Sequence, residues 1–269
     1  MLSSGAGGEN KNNKRKMIMA KLYMVGFGPG KHEGMTLEAE KAILRSDIVV
    51  GYTVYTDLIK EMFPQKNCVS TPMRQERDRV KFALERARAG ETVAMVCSGD
   101  SVVYGMAGLA YELLPEYGNV EIEVVAGVTA ALSGGAVLGA PLTHDFAVIS
   151  LSDLLTSWEK IEKRLDCAAA GDFEVCLYNP SSQKRADYLQ KACDILLRHQ
   201  GEDTVCGIVR NIGRAGEESR ILTLKELRDT RVDMFTTVFV GNSETKVIGG
   251  KMVTPRGYRS MGGEKENAK

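Results

Sequence analysis

Three histidines are the side chains of this sequence that are best suited to proton transfer near neutral pH. His32 lies in a loop, and His199 ends a polar helix where we expect it to face solvent. His144 stands in a THDF segment, beside Asp145 and a few residues before Asp153. A histidine or a tuned carboxylate can act as a general acid or base. His144 and its two acidic neighbours are therefore the candidates for acid–base chemistry.

A glycine-rich loop, GFGPG (residues 26–30), follows the first apolar run of the chain. Such loops let a ligand approach the backbone closely. A dinucleotide-binding fingerprint would need glycine where Lys31 stands, and Pro29 interrupts the passage from turn to helix. That fingerprint also needs an acidic residue at the end of the second strand, where Gly51 stands. The loop indicates a ligand other than a dinucleotide, or a tight turn without a ligand.

Two further loops place small and polar residues after strand-like runs. CSGDSVVYG (residues 97–105) offers backbone groups and the carboxylate of Asp100 at a position typical of α/β ligand clefts. Asp100 could instead cap the next segment. AGVTAALSGGAVLGAPL (residues 126–142) leads into a helix rich in alanine and glycine, with Thr129 at its start. Its small residues would let either a ligand or a neighbouring helix pack closely.

Short apolar runs typical of β-strands alternate with helical segments along the chain. The strands are predicted over residues 21–27, 47–52, 92–100, 120–127, 146–152, 173–179, 204–211 and 236–241. Several runs are apolar throughout, as in strands that helices cover on both faces. Helices with one apolar stripe are predicted over residues 77–89 and 184–198. The sequence therefore predicts an α/β protein.

A break between two halves is predicted at PEYGN (residues 115–119), where a helix over residues 108–114 ends. We expect two α/β domains, over residues 20–117 and 118–258, with a cleft between them. Residues 1–19 and 259–269 have a loose, polar and glycine-rich composition, and we expect them to be disordered tails.

Taken together, these motifs resemble the tetrapyrrole methylase family. GPG (residues 28–30), SGDSVVYG (98–105), AGVTA (126–130), LYNPSSQKR (177–185) and VRNIGRAGE (209–217) occur in that family's order. The similarity extends from about residue 21 to residue 258. Segments 143–159, beginning THDF, and 252–258, MVTPRGY, resemble the branch that methylates C17 of a corrin precursor.

The resemblance implies two α/β domains, S-adenosylmethionine bound in the cleft between them, and a homodimer. Carried over position by position, it implies cofactor contacts at Pro29, Gly99, Asp100, Ser101, Val103, Thr129, Ala130, Tyr178, Asn179, Asn211 and Thr236. Many relatives have GGDP where this chain has SGDS, and small apolar residues where Asn211 and Thr236 stand. These departures affect individual contacts with the adenine and the amino-acid part of the cofactor. They do not affect the prediction of the site as a whole.

The reaction that the resemblance implies is C17-methylation with ring contraction of precorrin-3B or cobalt-factor III, in cobalamin biosynthesis. Methyl transfer from a sulfonium depends mainly on alignment, so no Ser-His-Asp arrangement is expected. Ring contraction moves protons, and for this we expect His144, Asp145 and Asp153 to be catalytic. The alternative for His144 is that it only donates hydrogen bonds and shapes the pocket.

The implied substrate carries acetate and propionate groups, for which arginine is a natural partner. Arg74 is the preferred candidate because it lies in a loop, whereas Arg77 and Arg79 could belong to a solvated helix start. Ser150 and Ser152 are expected at the polar edge of the macrocycle. Further arginines stand beside the family's motifs: Arg210, Arg214 and Arg256.

The overall charge excludes several classes of partner. Lys and Arg together number 35, as do Asp and Glu, so no net field attracts nucleic acid or an anionic membrane. The sequence has no run of about 20 apolar residues, and its first residues lack the apolar stretch typical of a signal peptide, so a cytoplasmic location is expected. The six cysteines have no metal-ligand or secreted-scaffold spacing, so no protein-bound metal is expected. The expected partners are a tetrapyrrole and a second copy of the chain.

Three alternatives to this function agree less well with the sequence. A relative that methylates another tetrapyrrole position, a protein histidine or an rRNA ribose is disfavoured by the THDF and TPRGY segments. A nucleotide-binding oxidoreductase is disfavoured by Lys31 and Gly51, and a non-catalytic relative by the intact loops. Metal-free precorrin-3B and cobalt-factor III both remain open as substrates, with the cobalt route as our preference.

Overall fold

Residues 21–182 and 185–258 are described by the computed structural model, and they form two five-stranded sheets and one three-stranded sheet. The predicted tails and the start of the predicted helix over residues 184–198 lie outside the described residues. No helix within the described part of the chain is both long and apolar enough to cross a membrane.

The first sheet is parallel and contains β1 (Lys21–Gly26), β2 (Ile48–Tyr52), β3 (Cys68–Thr71), β4 (Thr92–Cys97) and β5 (Glu121–Val125). Its strand order is β3-β2-β4-β1-β5. The helices between these strands are α1 (Leu37–Arg45), α2 (Thr53–Met62), α3 (Glu76–Arg88) and α4 (Ala107–Leu113). Because the strands are parallel, the loops after β1, β4 and β5 emerge at one edge of the sheet.

Helices cover both faces of this sheet, which explains why its strands are apolar throughout. On one face Met24 packs in a cluster with Val80 and Leu84 of α3. On the other, Val25 packs in a cluster with Ile43 of α1 and Ile59 of α2. The predicted apolar stripe of α3 is confirmed by its burial.

The second half begins with α5 (Ala130–Leu138) and the short strand β6 (Gly139–Ala140). Its five-stranded sheet contains β7 (Phe146–Ser150), β8 (Glu174–Tyr178), β9 (Val205–Arg210), β10 (Glu218–Thr223) and β11 (Thr236–Val240), with α6 (Trp158–Ala170), α7 (Tyr188–Leu196) and α8 (Leu224–Arg228). The strand order is β10-β9-β11-β8-β7, and only β7 and β8 are parallel. Strands β12 (Lys246–Ile248) and β13 (Lys251–Val253) join β6 in the small sheet.

The two faces of this mixed sheet contact different helices. Val175 and Leu177 of β8 pack in the cluster that includes α6, α7 and α8. Cys176, between them, packs in a cluster with Ala131 and Leu138 of α5. This alternation follows from the two-residue period of a strand. Helix α5 therefore lies against the face of the second sheet that is opposite to α6, α7 and α8.

The α/β class and the eight predicted strands are confirmed, but the predicted boundary at residues 117–118 is wrong. Strand β5 pairs with β1 and completes the first sheet, so the first half extends to Val125. PEYGN is a turn inside that half, because Leu114–Glu116 form a 3₁₀ turn and Gly118 has a φ of 71°. Strands β3, β6, β10, β12 and β13 are additional to the prediction.

A buried carboxyl group lies where β8 begins. Glu174 is 1% exposed, and neither of its carboxylate oxygens has a hydrogen-bond partner among the described residues. Burial raises the pKa of Glu174 from its ordinary value near 4.5 to about 7, and nearby Thr254 and His144 offset only part of this effect. The folded protein therefore binds a proton that the unfolded chain releases near pH 4.5.

This raised pKa predicts a stability that falls as pH rises from about 4.5 to 7. Above pH 7 an unpaired charge is buried, so Glu174→Gln should stabilise the fold. Since one pKa unit corresponds to about 1.4 kcal/mol, we expect a gain of about 2–3 kcal/mol at pH 8 and little gain at pH 5. Denaturant unfolding at both pH values tests this, with exposed Glu61→Gln as the control. An equal gain at both pH values would contradict the raised pKa.

Candidate functional site

A cavity of about 320 Å³ lies between the loop edge of the first sheet and the second half. Nine of the eleven predicted cofactor-binding residues line it: Pro29, Gly99, Val103, Thr129, Ala130, Tyr178, Asn179, Asn211 and Thr236. They come from loops after β1, β4 and β5 and from the ends of β8, β9 and β11. The volume is within the usual range of small-molecule sites, about 300–1,000 Å³.

The loops of the first half are in backbone contact with one another. Gly28 and Gly99 exchange two backbone hydrogen bonds, of 3.0 and 2.8 Å. A Cβ atom on Gly26 would lie 2.8 Å from the Gly99 carbonyl oxygen and from the Gly127 nitrogen. Gly28 and Gly99 also have φ values of 79° and 71°, which glycine adopts without strain. The glycines of the three motifs are therefore required for the loops to meet.

The carboxylate of Asp100 supports this loop assembly from outside the cavity. It accepts hydrogen bonds from the backbone nitrogens of Val102 (2.7 Å), Val103 (3.1 Å) and Gly127 (2.9 Å). Neither Asp100 nor the fully buried Ser101 is part of the cavity lining. These two residues were predicted as cofactor contacts, but in this structure Asp100 positions the residues that line the cavity.

One wall of the cavity joins β8 to the start of α5. The Tyr178 hydroxyl lies 2.6 Å from the Thr129 hydroxyl and accepts a 2.6 Å hydrogen bond from the Ala131 nitrogen. Burial raises the pKa of Tyr178, so it remains a neutral phenol at physiological pH. This contact holds the first turn of α5 beside the cavity.

Three non-glycine residues of the cavity have a left-handed backbone. Tyr104, Asn179 and Asn211 have φ values of 55°, 53° and 52°. Asparagine tolerates this region, whereas tyrosine rarely adopts it. Such conformations cost about 1–3 kcal/mol each and persist where the surrounding structure holds them. Their concentration here is typical of a functional site.

Hydrogen bonds cross the cavity between the two halves in both directions. Arg214 of the second half donates from Nε to the Pro29 carbonyl (3.1 Å) and from Nη2 to the Ser98 hydroxyl (2.7 Å). Tyr104 of the first half donates to the Val148 carbonyl (2.9 Å) and accepts from the Ser150 nitrogen (3.1 Å). The family resemblance did not imply these roles for Arg214 and Tyr104, although both residues belong to the motifs that carry it.

The structure does not bring His144, Asp145 and Asp153, the predicted catalytic residues, together at this cavity. His144 precedes β7 and donates from Nε2 to the Pro255 carbonyl oxygen at 3.0 Å, while Asp153 follows the other end of β7. A strand advances about 3.3 Å per residue, so the five residues of β7 separate the two ends. Neither His144 nor exposed Asp145 lines the cavity.

A polar cluster lies beyond the end of β7. Ser150 accepts a 2.9 Å hydrogen bond from the Asn179 side chain, which connects it to the cavity wall. Ser152 accepts from Arg185 at 2.6 Å, and Asp153 binds both Arg185 (3.3 Å) and the Tyr188 hydroxyl (2.7 Å). Asp153 is thus engaged in an ion pair rather than directed into the cavity.

The structure places Arg74, the preferred candidate for binding a substrate carboxylate, away from this cavity. Arg74 is exposed and does not line the cavity, whereas Arg79 lines it and is only 2% exposed. Arg79 donates to the Thr71 hydroxyl (2.6 Å) and to the Pro72 carbonyl (2.9 Å). Arg79 lies on the buried side of α3, together with Val80, and this orientation directs it toward the cavity.

Comparison with known proteins identifies the family. The model of the tetrapyrrole (corrin/porphyrin) methylases matches residues 21–228. The chain belongs to this family.

Individual relatives agree with this assignment. The "Cobalamin biosynthesis protein CbiHC" of Archaeoglobus fulgidus is 49% identical over 92% of this chain, which spans only 55% of that protein. The "Probable cobalt-factor III C(17)-methyltransferase" of Salmonella typhimurium is 44% identical over 88% of this chain and 99% of its own length. The crystal structure of the methyltransferase CobJ superposes with a TM-score of 0.80 at 34% identity, covering 87% of this chain and 98% of that one.

The position of Asp100 predicts how its loss affects the site. Asp100→Asn removes the charge that accepts three backbone hydrogen bonds. Because hydrogen bonds to charged groups contribute about 1.5–3 kcal/mol, we expect the free energy of unfolding to fall by about 2 kcal/mol. S-adenosylhomocysteine binding should weaken as the loop loosens. Thermal unfolding and calorimetric titration measure both effects.

Asp145→Asn is the matched control, because its side chain is exposed at the far end of β7. It should leave both quantities unchanged. Full stability and normal binding in Asp100→Asn would contradict the positioning role.

Proposed function

We propose that this protein transfers the methyl group of S-adenosylmethionine to C17 of cobalt-factor III, with contraction of the macrocycle, in cobalamin biosynthesis. The observation that supports this proposal most directly is that nine residues from separate segments of the chain line one cavity. The name and the nearly complete length match of the Salmonella relative support the substrate. A homodimer and a cytoplasmic location remain proposals, which rest on the family resemblance and on the sequence respectively.

The cavity has the groups that a nucleoside-containing cofactor needs. Backbone atoms of Gly99 and Ala130 lie at its surface beside the Thr129 and Asn179 side chains, and Phe235 adds an aromatic wall. S-adenosylmethionine supplies an electrophilic methyl group when it is bound. The protein's task is then to align that methyl group with the acceptor carbon and to exclude water.

Proton transfer would have to use the groups that line the cavity. Among the described lining residues, Glu76 is the single carboxylate and there is no histidine. Four phenols line it as well: Tyr52, Tyr55, Tyr104 and Tyr178. Burial raises the pKa of Tyr55, Tyr104 and Tyr178, so these would act as neutral donors. We propose that the protein contributes mainly alignment and hydrogen bonding to the reaction.

The direct test combines binding and turnover. We expect S-adenosylhomocysteine to bind with micromolar affinity in calorimetric titration, while NAD does not bind. Anaerobic incubation with cobalt-factor III and S-adenosylmethionine carrying a labelled methyl group should yield a labelled, ring-contracted product. Metal-free precorrin-3B in a parallel reaction distinguishes the two routes. Absence of S-adenosylhomocysteine binding, or label transfer only to precorrin-3B, would contradict the proposal.

The position of His144 predicts that it is not a catalytic acid or base. His144→Gln keeps a hydrogen-bond donor for Pro255 but cannot titrate near neutral pH. We expect product formation within a few-fold of the unmodified protein, with an unchanged pH profile. General acid–base catalysis typically contributes about 10²–10⁴-fold. A rate loss of that size, with normal cofactor affinity, would contradict this prediction and indicate that His144 is a catalytic acid or base.

A further inference from the structure

Two arginines at one end of the cavity have no acidic partner. Arg79 lies on α3 in the first half, and Arg214 follows β9 in the second half; both line the cavity. Within residues 21–182 and 185–258, no carboxylate oxygen lies within 4.0 Å of either guanidinium group. Glu76, the single carboxylate among the described lining residues, acts on Arg79 from a longer distance, and neither arginine has a carboxylate in direct contact.

Each guanidinium uses two of its three nitrogens to hold a loop. Arg79 donates from Nε and Nη2 to Thr71 and Pro72, and Arg214 donates from Nε and Nη2 to Pro29 and Ser98. The remaining Nη1 of Arg79 contacts only the sulfur of Met106, at 3.4 Å, and sulfur is a weak acceptor. The Nη1 of Arg214 has no hydrogen-bond partner among the described residues. The hydrogen bonds of the other two nitrogens thus fix the orientation of each Nη1 group, and neither Nη1 donates to an oxygen of the described residues.

Tyr55 adds a third donor at the same end. Its ring lies 5.9 Å from Cζ of Arg214, and edge contacts with Phe27 (5.8 Å) and Tyr52 (5.2 Å) hold it in place. The positive charges of Arg214 and Arg79 both act on its hydroxyl, although burial still raises the pKa of Tyr55. The hydroxyl has no hydrogen-bond partner within the described ranges. Tyr55 thus lies beside Arg214, and the charges of both arginines reach it.

Holding loops does not by itself explain two cations at this place. The loop partners are hydroxyl and carbonyl oxygens, which an uncharged donor could also satisfy. Burial lowers the pKa of both guanidinium groups, and the charge of Glu76 offsets only part of this effect at Arg79. A desolvated cation is costly unless it is paired. An anion bound between Arg79 and Arg214 would remove that cost.

We propose that Arg79, Arg214 and Tyr55 form a carboxylate-binding subsite at this end of the cavity. The planar guanidinium group favours carboxylates, and each free Nη1 supplies one charge-assisted hydrogen bond. The subsite rests on the proposed function, because both expected ligands carry carboxylates. One source is the amino-acid end of the cofactor; the other is an acetate or propionate of the tetrapyrrole.

Tyr55→Phe and Arg79→Lys test the subsite. Tyr55→Phe removes a single hydroxyl and leaves the loop contacts intact, so it remains informative if Arg79→Lys folds poorly. The controls are Tyr111→Phe on α4 and Arg77→Lys on α3, whose side chains face solvent. Calorimetric and absorbance titrations measure the affinities for S-adenosylhomocysteine, for 5′-methylthioadenosine, which lacks the amino-acid carboxylate, and for cobalt-factor III.

We expect each subsite variant to lose about ten- to a hundredfold in affinity for one carboxylate ligand, while both controls bind normally. Weaker S-adenosylhomocysteine binding with unchanged methylthioadenosine binding assigns the carboxylate to the cofactor. Weaker cobalt-factor III binding alone assigns it to the substrate. Unchanged affinities, or an equal loss of methylthioadenosine binding, would overturn the subsite and leave the proposed function standing. Failure of the unmodified protein to bind S-adenosylhomocysteine would overturn the proposed function itself.

Discussion

The cleft depends on hydrogen bonds that two separate sheets exchange across it. The sheets share no strand within the described residues, so the backbone ladders do not set their relative position. Arg214 from one side binds loop atoms of the other, and Tyr104 binds β7 in return. Hydrogen bonds to a charged group contribute about 1.5–3 kcal/mol each. The Arg214 contacts tie the second half to the GPG and SGD loops, where alignment matters most.

The cavity forms because the parallel first sheet gathers its loops at one edge. The loops after β1, β4 and β5 must then pack against each other, and only glycine fits at Gly26 and Gly127. Asp100 satisfies backbone nitrogens that this packing would otherwise leave without partners. Residues behind the cavity surface therefore determine its shape as much as those that line it.

The sequence predicted best what depends on local pattern. Continuous apolar runs identified the buried strands, and the family resemblance, carried over position by position, implied the nine residues that line the cavity. The edge strand β10 was not predicted, because half of it is exposed and polar and it lacks a continuous apolar run. The domain boundary failed because PEYGN has the composition of any tight turn, and local composition does not reveal that the following strand pairs with β1. Pairing between distant strands is a property of the whole fold.

Proximity along the chain is a poor guide to which individual side chains meet at the cavity. Proximity along the chain suggested that His144, Asp145 and Asp153 act together, but an intervening strand is extended and moves its two ends apart. Conversely, Arg74 and Arg79 are near neighbours in sequence, yet Arg79 lies on the buried face of α3, whereas Arg74 lies in the exposed loop before that helix. The secondary structure around a charged residue thus determines whether its side chain reaches the cavity. A methyl transfer that requires alignment more than acid–base groups suits a cavity lined by two oriented arginines, of which Arg79 is buried and Arg214 half-buried.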